Sequence, residues 1–114
     1  MRSALLIAPI VALIGSASYA GELAERLNGP VSFALQSAKQ PIALELCVAD
    51  AIGNMGSPGA FQDGPNRVVI TADAVGKYYA AVELNGSPRG TQVVAHVYGR
   101  VFEAKVRKAI SACL

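Results

Sequence analysis

The stretch KYYAAVELNGSPRGTQVVAHVY, Lys77 to Tyr98, decides the fold. Two alternating runs, Lys77–Leu84 and Thr91–Tyr98, flank Asn85–Gly90, a segment rich in the Asn, Gly, Ser and Pro residues that reverse a chain. The whole reads as a β-hairpin with Ser87 and Pro88 at the turn centre. In that register Val82 meets Val93, Ala80 meets Ala95 and Tyr78 meets Val97 on one face. Glu83 meets Gln92, Ala81 meets Val94 and Tyr79 meets His96 on the other. The first set is apolar and the second mixed, as in a sheet with one face packed on a core.

Outward from the hairpin, Arg67–Asp73 (RVVITAD) is the preceding strand, and a short turn over Asp73–Gly76 makes a three-stranded meander. Val68, Ile70 and Ala72 join its apolar face. Val31–Gln36 alternates and predicts a further short strand, with Pro30 tolerated at its start. Pro41–Ile52 predicts a helix. Ser37 with Gln40 spells a competing capping box, but Pro41 prefers the first helical position and holds Gln40 out of helical geometry. Gly53 with Asn54 is expected to end this helix in the left-handed manner. Its apolar residues surround it: Ile42 and Leu46 line one side, Leu44 and Val48 nearly the opposite one. That distribution predicts enclosure on more than one side. Gly53–Asn66 (GNMGSPGAFQDGPN) reads as a long irregular loop whose Met55 and Phe61 either pin it down or touch a partner. Arg100–Cys113 is an amphipathic helix, with Phe102, Val106, Ala109, Ile110 and Cys113 on the inward stripe. Its basic residues Arg100, Lys105, Arg107 and Lys108 are accounted for by a solvated face and the helix dipole.

The expected fold is therefore α+β. It is a two-layer sandwich in the order β-α-β-β-β-α, an antiparallel meander with two helices on one face. Residues 31–114 form its single domain, and Gly21–Pro30 is an N-terminal linker.

Residues 1–20 read as a signal peptide. Arg2 supplies a positive start, Ala4–Ile14 (ALLIAPIVALI) an apolar run, and Ser18-Tyr19-Ala20 a small-residue site for a cut after Ala20. A membrane-spanning helix needs about 20 apolar residues, so no stable membrane anchor is expected after processing. No Cys follows the cut, which speaks against lipoprotein processing. The chain is expected to be exported, periplasmic or secreted. Losing Arg2 takes the formal net charge from +2 to +1, too little to predict binding to nucleic acid or an anionic membrane. Cys47 and Cys113 both survive processing, and an even pair in an oxidising compartment predicts a disulfide. The two thiols can meet if both helices cover the same sheet face.

Catalytic templates are missing from the sequence. It holds no Gly-rich phosphate loop, no H-E-x-x-H, no calcium loop and no nucleophile elbow. A zinc site needs three or four ligands, and the chain has one histidine with its cysteines paired, so no metal or cofactor is expected. His96 is the one candidate for chemistry. Opposite Tyr79 and two residues before Tyr98, it either contributes to a ligand site or simply covers a tyrosine ring as a cross-strand pair. Val69, Ala81, Val94, Tyr79 and Tyr98 make that face more apolar than a wet face requires. It is either a partner site or a surface over which the N-terminal segment or the long loop folds.

The order of elements resembles small exported bacterial proteins, often lipoproteins, of unassigned function. The matching residues are Val31–Gln36, Ser37 and Pro41, Cys47 within LELCVADAIG, and Cys113 within VRKAISACL. The resemblance implies a β-α-β-β-β-α sandwich with a disulfide and supplies no catalytic residues. The expected function is binding or assembly without catalysis, through Tyr79, His96, Tyr98, Val94 and Phe61, with a protein or small ligand as partner and a homo-oligomer allowed. The alternative is a small hydrolase or ligand-modifying enzyme centred on His96.

Overall fold

The computed structural model describes residues 22–74 and 77–114. The expected signal peptide, residues 1–20, and the centre of the turn before Lys77 lie outside the described residues, as does the side chain of Tyr78. Residues 22–28 are helical (α1). Then follow β1 (Phe33–Ser37), α2 (Pro41–Ile52), a 3-10 turn (Gly53–Met55), β2 (Ser57–Gln62), β3 (Arg67–Ala74), β4 (Lys77–Ser87), β5 (Gly90–Val97) and α3 (Arg100–Ser111). The strands form one antiparallel sheet in the order β1-β5-β4-β3-β2. The α+β sandwich with two helices on one face is the expected one.

The core follows from the alternation. Val68, Ile70 and Ala72 of β3, Ala80, Val82 and Leu84 of β4, and Val93 and Ala95 of β5 are buried with Phe33 of β1 against the two helices. From α2 come Leu44, Val48 and Ile52, all fully buried, from α3 come Val106 and Ile110, and Cys113 follows just past its end. Burying one such large aliphatic side chain stabilises by about 1.5–3 kcal/mol. Cys47 and Cys113 are joined in a disulfide, their Cα atoms 5.8 Å apart, tying the middle of α2 to the end of α3.

Proline positions explain both a success and an error. Pro41 does open α2, behind an extended Gln40 with no side-chain cap. The freed Ser37 instead donates from Oγ to the Leu114 carbonyl at 3.3 Å and accepts from the Lys39 amide at 3.1 Å. In the hairpin the turn centre is Pro88-Arg89, not Ser87-Pro88, because Ser87 pairs with Gly90. Proline's fixed φ suits the second position of a turn and is disfavoured at the third. The Ser87 hydroxyl holds the corner by accepting from the Arg89 amide at 3.2 Å. Val82 therefore meets Ala95, Ala80 meets Val97, Ala81 meets His96 and Glu83 meets Val94. Each partner moves by two residues, so every described side chain keeps its predicted face. Gly90 is required at the corner: its φ is +130°, and a Cβ there would lie 2.1 Å from the Ser37 carbonyl oxygen.

Four other expectations are corrected. The irregular loop contains strand β2, SPGAFQ, on the open edge of β3. An edge strand pairs on one side only, so Pro58 is tolerated despite lacking an N–H. Next, α2 does not end at a left-handed Gly53, which is right-handed helical, but continues into the 3-10 turn. Finally, α2 is not enclosed all round: Ile42 and Leu46 are 81% and 84% exposed. Phe102, expected on the inward stripe of α3, is likewise exposed.

The corner after β1 anchors the end of α3. Lys39 Nζ donates to the Cys113 carbonyl at 2.8 Å, and Thr91 Oγ1 donates to the Lys39 carbonyl at 2.7 Å. A cation on the last carbonyls of a helix contributes roughly 0.3–1 kcal/mol. Lys39→Met should therefore destabilise by about that amount in urea titration, and an unchanged midpoint would show the contact to be idle.

Candidate functional site

On the sheet face away from α2 and α3, the alternation brings together Tyr79, Ala81 and Glu83 of β4, Val94 and His96 of β5, and Arg67, Val69 and Thr71 of β3. Tyr98 follows β5 on the same side. With Ala81 opposite His96, Glu83 is the histidine's diagonal neighbour. His96 Nε2 lies 2.8 Å from Glu83 Oε2, and Nδ1 lies 3.3 Å from the Pro30 carbonyl oxygen. Arg67 Nη2 donates to Glu83 Oε1 at 2.5 Å, and Nη1 donates to Asp63. The Glu83 hydrogen bond raises the Arg67 pKa above its ordinary value, with Asp63 adding to the effect. That guanidinium stays charged at any working pH.

His96 itself is only 2% exposed. Each ring nitrogen faces an acceptor oxygen, and the ring sits beneath the chain entering β1. Neither sequence reading of His96, as an open ligand group or as a cover for Tyr79, describes it. It is a buried link between the sheet and Pro30.

Above it a cleft of about 420 Å³ opens between the N-terminal segment and the sheet. Glu22, Glu25, Arg26 and Pro30 line one wall, Tyr79 and Tyr98 the other. The Tyr98 amide donates to the Tyr79 carbonyl at 2.7 Å, which places the two rings with centroids 6.3 Å apart and planes tilted by 60°. The Arg26 guanidinium lies 5.3 Å from the Tyr98 ring centroid. No family model, curated protein or solved structure matches this chain.

Of the predicted contact residues, the cleft unites Tyr79 and Tyr98, with His96 below. Val94 is half-buried beside Glu83. Phe61 stands on β2 opposite Val69, half-exposed, and does not line the cleft. The N-terminal segment does lie on this face, one of the alternatives left open by the sequence. Glu83 and Arg67 were not predicted as site residues. Their signal was present, since both share a face with His96, but the slipped register placed Glu83 too far along to reach it. Among the described residues no three His, Cys, Asp or Glu side chains stand together as metal ligands.

Proposed function

We propose that the protein is an exported, non-enzymatic binding protein whose contact site is the tyrosine-lined cleft. The observation that carries this reading is the cleft itself. Its volume lies in the range of small-molecule sites, and it combines aromatic faces with a few charged groups at its rim. The disulfide fits a location outside the reducing cytoplasm. Among the described residues, no helix is long and apolar enough to cross a membrane. Export through residues 1–20 and release into the periplasm or medium extend that reading. Catalysis centred on His96 draws less support, since both ring nitrogens are engaged and the ring is closed off by Pro30.

A thermal-shift comparison tests the site. Small molecules extracted from the native compartment should raise the melting temperature of the wild-type protein by ligand linkage. The Tyr79→Ala/Tyr98→Ala variant should lose at least most of that rise. Equal rises in both proteins would remove the cleft from consideration.

A further inference from the structure

The buried histidine faces more acceptors than a neutral imidazole can satisfy. The His96 side chain is 2% exposed. Nε2 lies 2.8 Å from Glu83 Oε2, and Nδ1 lies 3.3 Å from the Pro30 carbonyl oxygen. A carbonyl oxygen and a carboxylate both have only lone pairs to offer. A neutral ring carries one N–H and one lone pair, so here it makes one hydrogen bond and one contact between lone pairs. Only the imidazolium, with a proton on each nitrogen, donates to both oxygens.

The surroundings accommodate that charge. From β4, Glu83 sets a carboxylate on Nε2, and Arg67 of β3 donates to its other oxygen, with Asp63 behind the guanidinium. A charged His96 completes a chain of two cations and two carboxylates, neutral as a whole. On the other side of β5, β1 brings no ionisable side chain. On the cleft side stand Glu22, Glu25 and Arg26 of the N-terminal segment, with Tyr79 and Tyr98.

We propose that His96 is a proton-operated latch, holding the N-terminal wall of the cleft on the sheet while doubly protonated and loosening it on losing one proton. Deprotonation leaves the ring a single donor. The shorter, charge-assisted bond keeps it, so Nε2–H stays on Glu83 and Nδ1 turns a lone pair on the Pro30 carbonyl. The contact that held Pro30 then repels it. Ser32 is the pivot. Its amide donates to the Ala95 carbonyl at 2.8 Å, and its hydroxyl donates to the Val97 carbonyl at 3.2 Å and accepts from the Val97 amide at 2.8 Å. None of these bonds titrates, so Ser32 stays on β5 and residues 22–31 are what move. They carry Glu22, Glu25, Arg26 and Pro30, the whole of that wall. Arg26 over the Tyr98 ring is a second hold, so the wall loosens from its Pro30 end. Histidine exchanges this proton between about pH 5 and 8. The wall is therefore held at the acidic end of that range and loose at the other. Any effect on a ligand rests on the cleft being the binding site proposed above, whereas the latch rests on the contacts of the ring.

Nuclear magnetic resonance of the nitrogen-15-labelled full chain, without ligand and titrated from about pH 5 to pH 8, tests the latch. At the acidic end both His96 ring nitrogens should show the shifts of an imidazolium. As the ring titrates, the amides of residues 22–31 should shift and lose order by the proton–nitrogen Overhauser effect, with the same midpoint. The amides of β3 and β4 should keep their order. In His96→Gln, which has no proton to lose, the order of residues 22–31 should not change with pH. A ring that keeps one protonation state across the range, a titrating ring to which the segment does not respond, or an equal response in His96→Gln would overturn the proposal. With no ligand present, each of these failures leaves the thermal-shift test of Tyr79 and Tyr98 to be decided separately.

Discussion

Replacing both cysteines, Cys47→Ala with Cys113→Ala, is expected to lower the melting temperature by roughly 15 °C or more. The disulfide closes a loop of 66 residues. In the chain-entropy model such a closure stabilises by about 4 kcal/mol, a large share of the stability of any domain this small. The packing gives α3 little to fall back on. Only Val106 and Ile110 of this helix are buried, with Cys113 just past its end, and Phe102, which its pattern assigns to the core, is half out. Beyond these it is held by the Lys39 and Ser37 contacts to the Cys113 and Leu114 carbonyls just past its end, and by Arg107 over the Phe33 ring. Thermal unfolding followed by circular dichroism, comparing the oxidised wild type with the double variant, reads the effect. A shift of only a few degrees would mean that packing suffices to hold α3 on the sheet.

The fold was legible where a steric or periodic rule acts within a few residues. Pro41 set the start of α2, and the alternation of β3, β4 and β5 set the core face. Each depends on local backbone geometry alone. The errors arise where a local signal is outvoted by position in the sheet. SPGAFQ has a proline and a glycine in its first three residues and no alternation, so nothing local marks it as a strand. It is one because β3 offers an unpaired edge. In α2, the apolar residues on all sides predicted enclosure, but the sheet has only one face to give, and Leu44, Val48 and Ile52 take it. Ile42 and Leu46 are left outside, in solvent.

The site was half legible for a similar reason. Face assignment depends on parity, which survives a two-residue slip, so Tyr79, Tyr98 and His96 were correctly grouped. Contact between side chains depends on register, which does not survive it. The misplaced turn centre separated Glu83 from His96 and so concealed the interaction that fixes the ring. The enclosure of His96 was beyond any strand-level reading, since it comes from Pro30, 66 residues away.

That interaction yields the other large effect: Glu83→Ala should destabilise the protein by about 3 kcal/mol and loosen the wall of the cleft. Glu83 is the shared acceptor for Arg67 and His96, and its own side chain is 14% exposed. Without it, the guanidinium keeps only Asp63, at the surface, while the imidazole keeps a single long bond to the Pro30 carbonyl. Removing one partner from an enclosed polar network leaves the others desolvated and unpaired, which costs more than the original interaction gave. A substitution that removes the histidine as well should recover part of the loss, so Glu83→Ala/His96→Leu is expected to be more stable than the sum of its single changes predicts. The coupling also reaches the binding site. His96 holds the Pro30 carbonyl, next to the Ser32 hydrogen bonds to Ala95 and Val97 of β5, and Pro30 with Glu25 and Arg26 forms the wall facing Tyr79 and Tyr98. Hydrogen exchange at the amides of residues 22–32 should therefore accelerate in Glu83→Ala while the β3–β4 amides stay protected. Uniform acceleration across the sheet would instead make the network a general stabiliser, with no particular hold on the cleft.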